Sequence, residues 1–390
     1  MIWLWSSGVK DAVTWGAFLF VIVNVIVRRE RISLGGLGLP ILVYLICCAI
    51  SSARSIHPVP GWSWRQYYKL IELVAGFIAL ANLLRRGRRA ETAVVAVATA
   101  FLLVWLTDGA RLLFHSLTHT QFMTDGRWNG SRFNFPTIAA AVHAAGFVFV
   151  VALLLRVRAA KYRIALIAGL VLCCAILMSL QTRSVILGIA SGLVVLVASL
   201  AEERKRAFAI IGISGAIFAA VMFGSPSVRT RILSGGFSDR LAIWHDVMIA
   251  IKEQPRMGCT TGYGYGHGIL KPVYKRVINR KRMTAGTVLD HAHNMMLEVM
   301  LQTGWPGLIA WLALLVTAAW RTLRAVLRET DASRRWAIAA VSGALVMLVV
   351  YGQFSAFFAL APIFLFWNLL GLLAALTAPR TDSAADGSRG

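Results

Sequence analysis

Charge is scarce in this chain, and negative charge scarcer still. Only 15% of its 390 residues are charged, with 17 Asp and Glu against 40 Lys and Arg. A soluble domain carries nearer a quarter, so the shortage excludes an ordinary water-facing surface. Cysteine is sparse, at five. Cys47/Cys48 and Cys173/Cys174 are adjacent pairs inside apolar blocks, where Cys behaves as a small hydrophobe, and Cys259 stands alone. No cysteine spacing suits a zinc site or a disulfide framework. No Asp-x-Asp pair of the kind that holds a metal on a nucleotide-sugar occurs. A cleavable leader and a lipidation motif are missing too: the first apolar stretch ends in RRER, not in small residues, and reads as a span.

Apolar residues are what the chain has instead. They make up 58% of it, with a mean hydropathy of +0.69, and they lie in long blocks. Blocks of that kind predict membrane-spanning helices. We read eleven: Asp11–Val27, Gly36–Ile50, Tyr67–Leu84, Thr92–Thr107, Thr137–Leu155, Ile164–Leu180, Val185–Leu200, Phe208–Phe223, Met295–Trp320, Trp336–Phe354 and Ala356–Thr377. MIWLWSSGVK is either the stump of a twelfth or part of a broken first helix. The fold expected is therefore an all-α polytopic integral membrane protein of about eleven or twelve spans with one large, partly helical outer loop. Residues 1–223 would form an N-terminal bundle, 224–292 the loop, 293–377 the C-terminal spans and 378–390 a polar cytoplasmic tail.

The net charge of +23 would suggest nucleic acid in a soluble protein. In a membrane protein it first reflects basic cytoplasmic loops. RRER (Arg28–Arg31), RRGRR (Arg85–Arg89), RVRAAKYR (Arg156–Arg163), EERKR (Glu202–Arg206) and RTLRAVLRE (Arg321–Glu329) fall on every second connector and so share one side. The loops Ser51–Arg65, His115–Pro136 and Gly224–Ala292 share the other. The last holds eleven Lys and Arg against four Asp and Glu, where the positive-inside rule predicts no excess. It reads as a solvated basic face or as a surface for anionic partners such as phosphates.

Within that loop FSDRLAIWHDVMIAIKEQP places Leu241, Trp244, Val247, Met248 and Ile251 at helical period, with Ser238 or Asp239 as N-cap and Pro255 as terminator. Arg240 falls in its first turn, where a guanidinium adds to the positive end of the helix dipole and suits a phosphate. GCTTGYGYGHG (Gly258–Gly268) reads equally as an anion-binding nest or a flexible turn. Arg183 stands at an outward turn between two spans, where it either meets an anion or snorkels to headgroups. Arg127 and Arg132, among aromatics in GRWNGSRFNFP, suit sugar and phosphate recognition or headgroup anchoring. Asp290, His291 and His293 lie close together, but the two histidines are two apart, against a metal pair. A neutral imidazole at His293 suits general-base work, or serves as a helix cap. Glu72, Asp108, Arg111 and Glu298 fall near span ends, so no central charged pair of the kind a transporter uses is expected. GWPG (Gly304–Gly307) breaks one span.

Together these pieces resemble the O-antigen ligases, within the group that also holds O-antigen polymerases and bacterial protein O-oligosaccharyltransferases. Arg183-Ser-Val-Ile-Leu187 is similar to the ligases' Arg-x3-Leu motif, and His293 to Gly304 to their His-x10-Gly motif. HNMMLEVMLQTGWPG resembles the group's His-Asn…Leu-Glu…Gly…Gly pattern. SDRLAIW followed by P-x-x-G and the Gly/Tyr run resembles its long periplasmic loop. The resemblance implies a GT-C-like glycosyltransferase of the bacterial inner membrane, with its site on the periplasmic face and no cofactor, metal or nucleotide. It implies transfer of a glycan from undecaprenyl diphosphate to a sugar of the lipid A–core, His293 as general base, and Arg183 and Arg240 on the diphosphate. Lys275, Arg276, Arg280 and Arg282, with Arg127, Arg132, His291 and Asn294, are assigned to substrate. Membrane lipids are the other expected partners and nucleic acid is not one. An O-antigen polymerase is the nearest alternative, a protein glycosyltransferase the next, and a lipid-linked glycan transporter the different class.

Overall fold

The computed structural model describes residues 2–28, 32–85, 88–118, 123–124, 127–128, 136–180, 182–200, 212, 237–277 and 290–379. The described residues are almost wholly helical. They form α1 (Ile2–Arg28), α2 (Gly38–Ala53), α3 (Trp62–Leu83), α4 (Arg89–Leu117), α5 (Pro136–Arg156), α6 (Ala160–Leu180), α7 (Arg183–Ser199), α8 (Phe237–Glu253), α9 (Pro255–Gly258), α10 (Leu270–Arg276), α11 (Met295–Arg328), α12 (Ala332–Gly352) and α13 (Leu360–Thr377). Between α4 and α5, β1 (Met123–Thr124) pairs antiparallel with β2 (Arg127–Trp128).

Five of these helices are long and apolar enough to cross a membrane: Arg89–Phe114, Pro136–Arg156, Ala160–Leu180, Met295–Arg328 and Ala332–Gly352. Asp11–Val27, Gly38–Ala53, Arg183–Ser199 and Ala361–Thr377 are shorter apolar helices. This is a polytopic, all-helical membrane protein. Expected span Tyr67–Leu84 falls on α3, whose first half, WSWRQYYK, is polar and aromatic. Expected span Phe208–Phe223 lies outside the described residues. The N-terminal segment is neither a separate stump nor a broken helix, because α1 runs unbroken from Ile2 to Arg28.

The chain divides into two compact units. The first comprises Met1–Ala90, Phe237–Arg324 and Phe366–Gly390. Its core is aromatic: Trp311 of α11 packs on Tyr44 of α2 (ring centroids 5.1 Å) and on Phe366 of α13 (5.3 Å). Asn82 of α3 pins the α1–α2 linker, accepting from Ser33 N (2.8 Å) and donating to Ser33 O (3.1 Å).

The second unit comprises Glu91–Gly236 and Ala325–Leu365. Helix α12 lies against α7 through small residues: a Cβ on Gly188 would meet Met347 O at 2.9 Å, and one on Gly343 would meet Gly192 O at 2.8 Å. Without a hydrophobic drive between helices in lipid, such backbone approach is what helix association rests on. Arg183 opens α7. One expectation is corrected here. Helix α4 continues past Thr107 to Leu117 because RLLFHSL still favours helix, so Asp108 sits inside it rather than at its end. Asp108 Oδ2 lies 3.3 Å from His143 Nε2 of α5, and both side chains are fully buried. A buried Asp–His pair inside the bundle therefore exists, and its histidine lies in an apolar block of the sequence.

Helix α11 is broken at Gly304 (φ 69°, ψ −170°). The glycine run packs into that break. Tyr263 N donates to Leu301 O (2.9 Å), and Trp305 N to Cys259 O (2.9 Å). A Cβ on Gly262 (φ +71°) would fall on the backbone of Gln302. The run is thus neither a flexible turn nor an open nest, since Gly262 to Gly266 are all buried. Gly61 has a similar φ, +70°, but nothing within 4 Å of its Cβ position. Gly61→Ala should cost about 1 kcal/mol of left-handed strain. Gly262→Ala should cost on the order of 3 kcal/mol or more, from strain plus overlap. Thermal unfolding of the two variants in detergent checks this order.

Candidate functional site

The site grows from the turn that precedes α11. Asn294 caps that helix: its Oδ1 accepts from Met296 N (3.0 Å) and Leu297 N (3.1 Å). Glu298, one turn in, reaches back. Its Oε2 accepts from Ala292 N (2.7 Å), and its Oε1 accepts from Gln302 Nε2 (3.2 Å). The Ala292 carbonyl is held from the other side by Trp244 Nε1 of α8 (3.1 Å). Both peptide groups of a fully buried residue are therefore fixed between the two histidines.

That bracing holds an uncommon conformation. Among the described residues His293 is the one non-glycine with positive φ, +51°. A non-glycine residue rarely adopts this region, and its cost persists only where surrounding structure over-determines it. The half-buried His293 ring meets His291 edge-on (centroids 4.2 Å, 62° between planes). His291 stacks in turn on His267 from the glycine run (5.2 Å, 27°). Burial, then the charge of Arg240, then His267, hold His293 well below the ordinary histidine value, at about 4. Burial, then His293 and His267, hold His291 at about 3. Burial pushes His267 down as well, partly offset by Asp290. All three rings are uncharged at neutral pH. Neutral His293 can accept a proton, and a guanidinium stands close enough to bias it.

Arg240 and Trp244, four apart on α8, share one face, which explains how the arginine's charge reaches His293 while the tryptophan grips Ala292. Phe237 is already helical, so Ser238 and Asp239 fall inside the first turn rather than before it. The helix ends at Glu253, and Pro255 opens α9. Its buried face is Ile243, Asp246, Val247, Ala250 and Ile251. Leu241 and Met248, expected on that face, are exposed at 50% and 36%. The apolar stripe is wider than the side that packs, because buried Asp246 takes a place on it, accepting from Tyr274 Oη at 3.2 Å.

The remaining candidates separate. Lys271 pairs with Asp290 (3.7 Å), both more than half exposed. Arg276 donates to Ile56 O (2.6 Å) in the α2–α3 loop, and Lys275 is exposed. Arg127 lies in β2, and Arg183 belongs to the second unit, whereas Arg240, His291, His293 and Asn294 are gathered in the first. Arg132, Arg280 and Arg282 lie outside the described residues. Among the described residues no three His, Cys, Asp or Glu are grouped so that they could hold a metal ion. Three contributors escaped sequence reasoning: His267, Trp244 and Glu298. Trp244 was read as apolar face alone, though its indole N–H, which needs a partner when buried, was the available signal.

The Glu298 contacts carry a prediction. Gln302 Oε1 is buried with no hydrogen-bond partner. In Glu298→Gln a flip of Gln302 would present that oxygen to the new amide, and the Ala292 contact survives. Glu298→Ala leaves the Ala292 N–H unsatisfied, a loss of about 1–3 kcal/mol. Hydrogen exchange at Ala292 should stay slow in the first variant and accelerate about tenfold or more in the second.

No curated protein sequence matches the chain significantly. Residues 168–312 match the sequence model of a family described as O-antigen ligase, a stretch that takes in Arg183, Arg240, His267, His291 and His293. Over that stretch the chain is similar to the O-antigen ligase family.

Proposed function

We propose that the chain is an O-antigen ligase, moving a glycan from undecaprenyl diphosphate to a sugar of the lipid A–core at the periplasmic face of the bacterial inner membrane. The single observation that carries the reading is the strained, doubly braced and uncharged His293 beside the charge of Arg240. On this reading 224–292 is the periplasmic loop and 378–390 the cytoplasmic tail. The donor is already activated by its diphosphate. His293 takes the proton of the acceptor hydroxyl as its oxygen attacks the anomeric carbon. The bond to the diphosphate breaks, and its electron pair leaves with the phosphate oxygen. Arg240, with Arg183, stabilises the charge that develops there. Direct displacement inverts the anomeric configuration, and NMR of the product linkage showing retention would end that part of the proposal. His291 and Asn294 lie beside the base, and Arg127, Arg132, Lys275, Arg276, Arg280 and Arg282 attract the phosphorylated core.

Purified protein with EDTA, a lipid-linked glycan and lipid A–core makes the test. Wild type should glycosylate the core. His293→Ala should lose about 10²–10⁴ in rate, and Arg240→Ala or Arg183→Ala about 10²–10³. Longer lipid-linked glycan with untouched core would mean a polymerase. The buried Asp108–His143 pair favours one other reading, a lipid-linked glycan transporter. Glycan movement across vesicles by a protein that transfers nothing would establish that instead.

The pH profile gives a second expectation. A histidine held near 4 stays a base through mild acid, so the acid limb of kcat/KM, which reports free enzyme, should lie well below 6.5. Bound diphosphate offsets the charge of Arg240, which favours protonation of His293. The acid limb of kcat should therefore lie at higher pH than that of kcat/KM.

A further inference from the structure

His267 stands 26 residues before His293 in sequence and belongs to neither motif that pointed to the site. Its place is set by the glycine run. Gly266 lies against Gln66 and Trp62 of α3, where a Cβ would meet the Trp62 ring at 2.8 Å, and Gly268 follows at φ +91°. Ile269 and Leu270, the next residues, are fully buried. The His267 ring is therefore fixed from its own backbone, and His291 and His293 follow it in a column with centroid separations of 5.2 and 4.2 Å.

His267 and the middle ring, His291, share a second property. Nδ1 of His267 and Nδ1 of His291 are both buried with no hydrogen-bond partner. A neutral imidazole tolerates this if Nδ1 is the unprotonated nitrogen. The imidazolium does not, because both nitrogens are then donors and one would be buried without an acceptor. Protonation of either ring is blocked by geometry, independently of the charges around it.

We propose that His267 and His291 are positioning residues for glycan transfer, two imidazoles locked uncharged that fix the ring of His293 and leave it the one of the three that takes a proton. The inference rests on the reading of His293 as the base. The proton leaves the acceptor hydroxyl and forms an N–H bond on His293, and His291 and His267 behind it do not receive it. Other charged or titratable groups around the column are Arg240 on α8, Lys271 on α10, Asp290 in the same turn and Glu298 on α11.

The test compares His267→Phe, His267→Ala and His293→Ala in the full-length protein, using undecaprenyl-diphosphate glycan and lipid A–core as substrates. Phenylalanine keeps the bulk and the stack but removes the nitrogens. Because His267 is already uncharged, the acid limb of kcat/KM should stay at its wild-type pH in this variant, with kcat and donor KM unchanged within about threefold. Alanine removes the support, and kcat should fall about tenfold to a hundredfold. Thermal unfolding identifies any variant that has simply lost its fold, and the phenylalanine profile decides the matter if alanine does. Wild-type profiles and rates in both variants would overturn the proposal. So would an acid limb moved to higher pH in the phenylalanine variant, which means that His267 does take a proton. Full activity in His293→Ala would sink the reading of the base itself, an outcome separate from failure at His267.

Discussion

The structure of the site depends on one break in one helix. At Gly304 the hydrogen-bond ladder of α11 opens, and its freed groups must find partners, since a buried or lipid-facing backbone group without one costs several kcal/mol. They find them in distant segments. Leu301 O takes Tyr263 N, Trp305 N reaches Cys259 O, and Gln302 O takes the hydroxyl of Ser51. The fit is close on both surfaces: Gly262 lies on the Gln302 backbone, and a Cβ on Gly304 would meet Thr260 C at 2.7 Å. A helix interior without the break would offer no carbonyls to the 259–263 segment. The break therefore brings the glycine run, and with it His267, to the start of the same helix.

The upper part of α11 carries that arrangement to the histidines. Gln302 lies at the break and donates to Glu298, and Glu298 accepts from Ala292, so two side chains four residues apart connect the kink to the turn. The left-handed conformation of His293 costs on the order of 1–3 kcal/mol. The Glu298–Ala292, Trp244–Ala292 and Asn294 cap bonds contribute about 1 kcal/mol each and together offset it. Such strain is tolerated where the ring's direction matters more than local comfort. Preorganisation of this kind is what lets a base act without reorganising at the moment of reaction.

Much of this was legible in the sequence, and the limits have a physical form. Apolar blocks located apolar helices at nine of the eleven expected spans, five of them long enough to cross a membrane, because hydrophobic length is a local property. The spacing of His293 to Gly304 was legible for the same reason: one helix and the turn immediately before it carry both ends of the motif. Long-range partners were not legible. His267 and His291 are 24 residues apart, and Trp244 and Ala292 are 48 apart, so no periodic pattern links them. The α8 face was misjudged because Asp246 is buried by a hydroxyl from α10, which only the fold supplies. Likewise His143 reads as one polar residue in an apolar block until Asp108 is seen opposite it.

In the proposed mechanism a cation next to the general base looks self-defeating, because Arg240 weakens the proton affinity on which His293 would depend. The conflict disappears when the leaving group is counted. The proposed donor brings a diphosphate, whose negative charge pairs with a guanidinium more strongly than an imidazole is repelled by it. With donor bound, Arg240 faces an anion, and the bias against a positive His293 is largely cancelled. Without donor, His293 stays neutral and a poor proton acceptor, so the free site does little to activate water. On the proposed mechanism the same arginine would then stabilise the diphosphate as it departs, when its charge is greatest. In that proposal one side chain sets the strength of the base by the presence of the substrate, and the stacked neutral histidines would keep that response confined to a single ring.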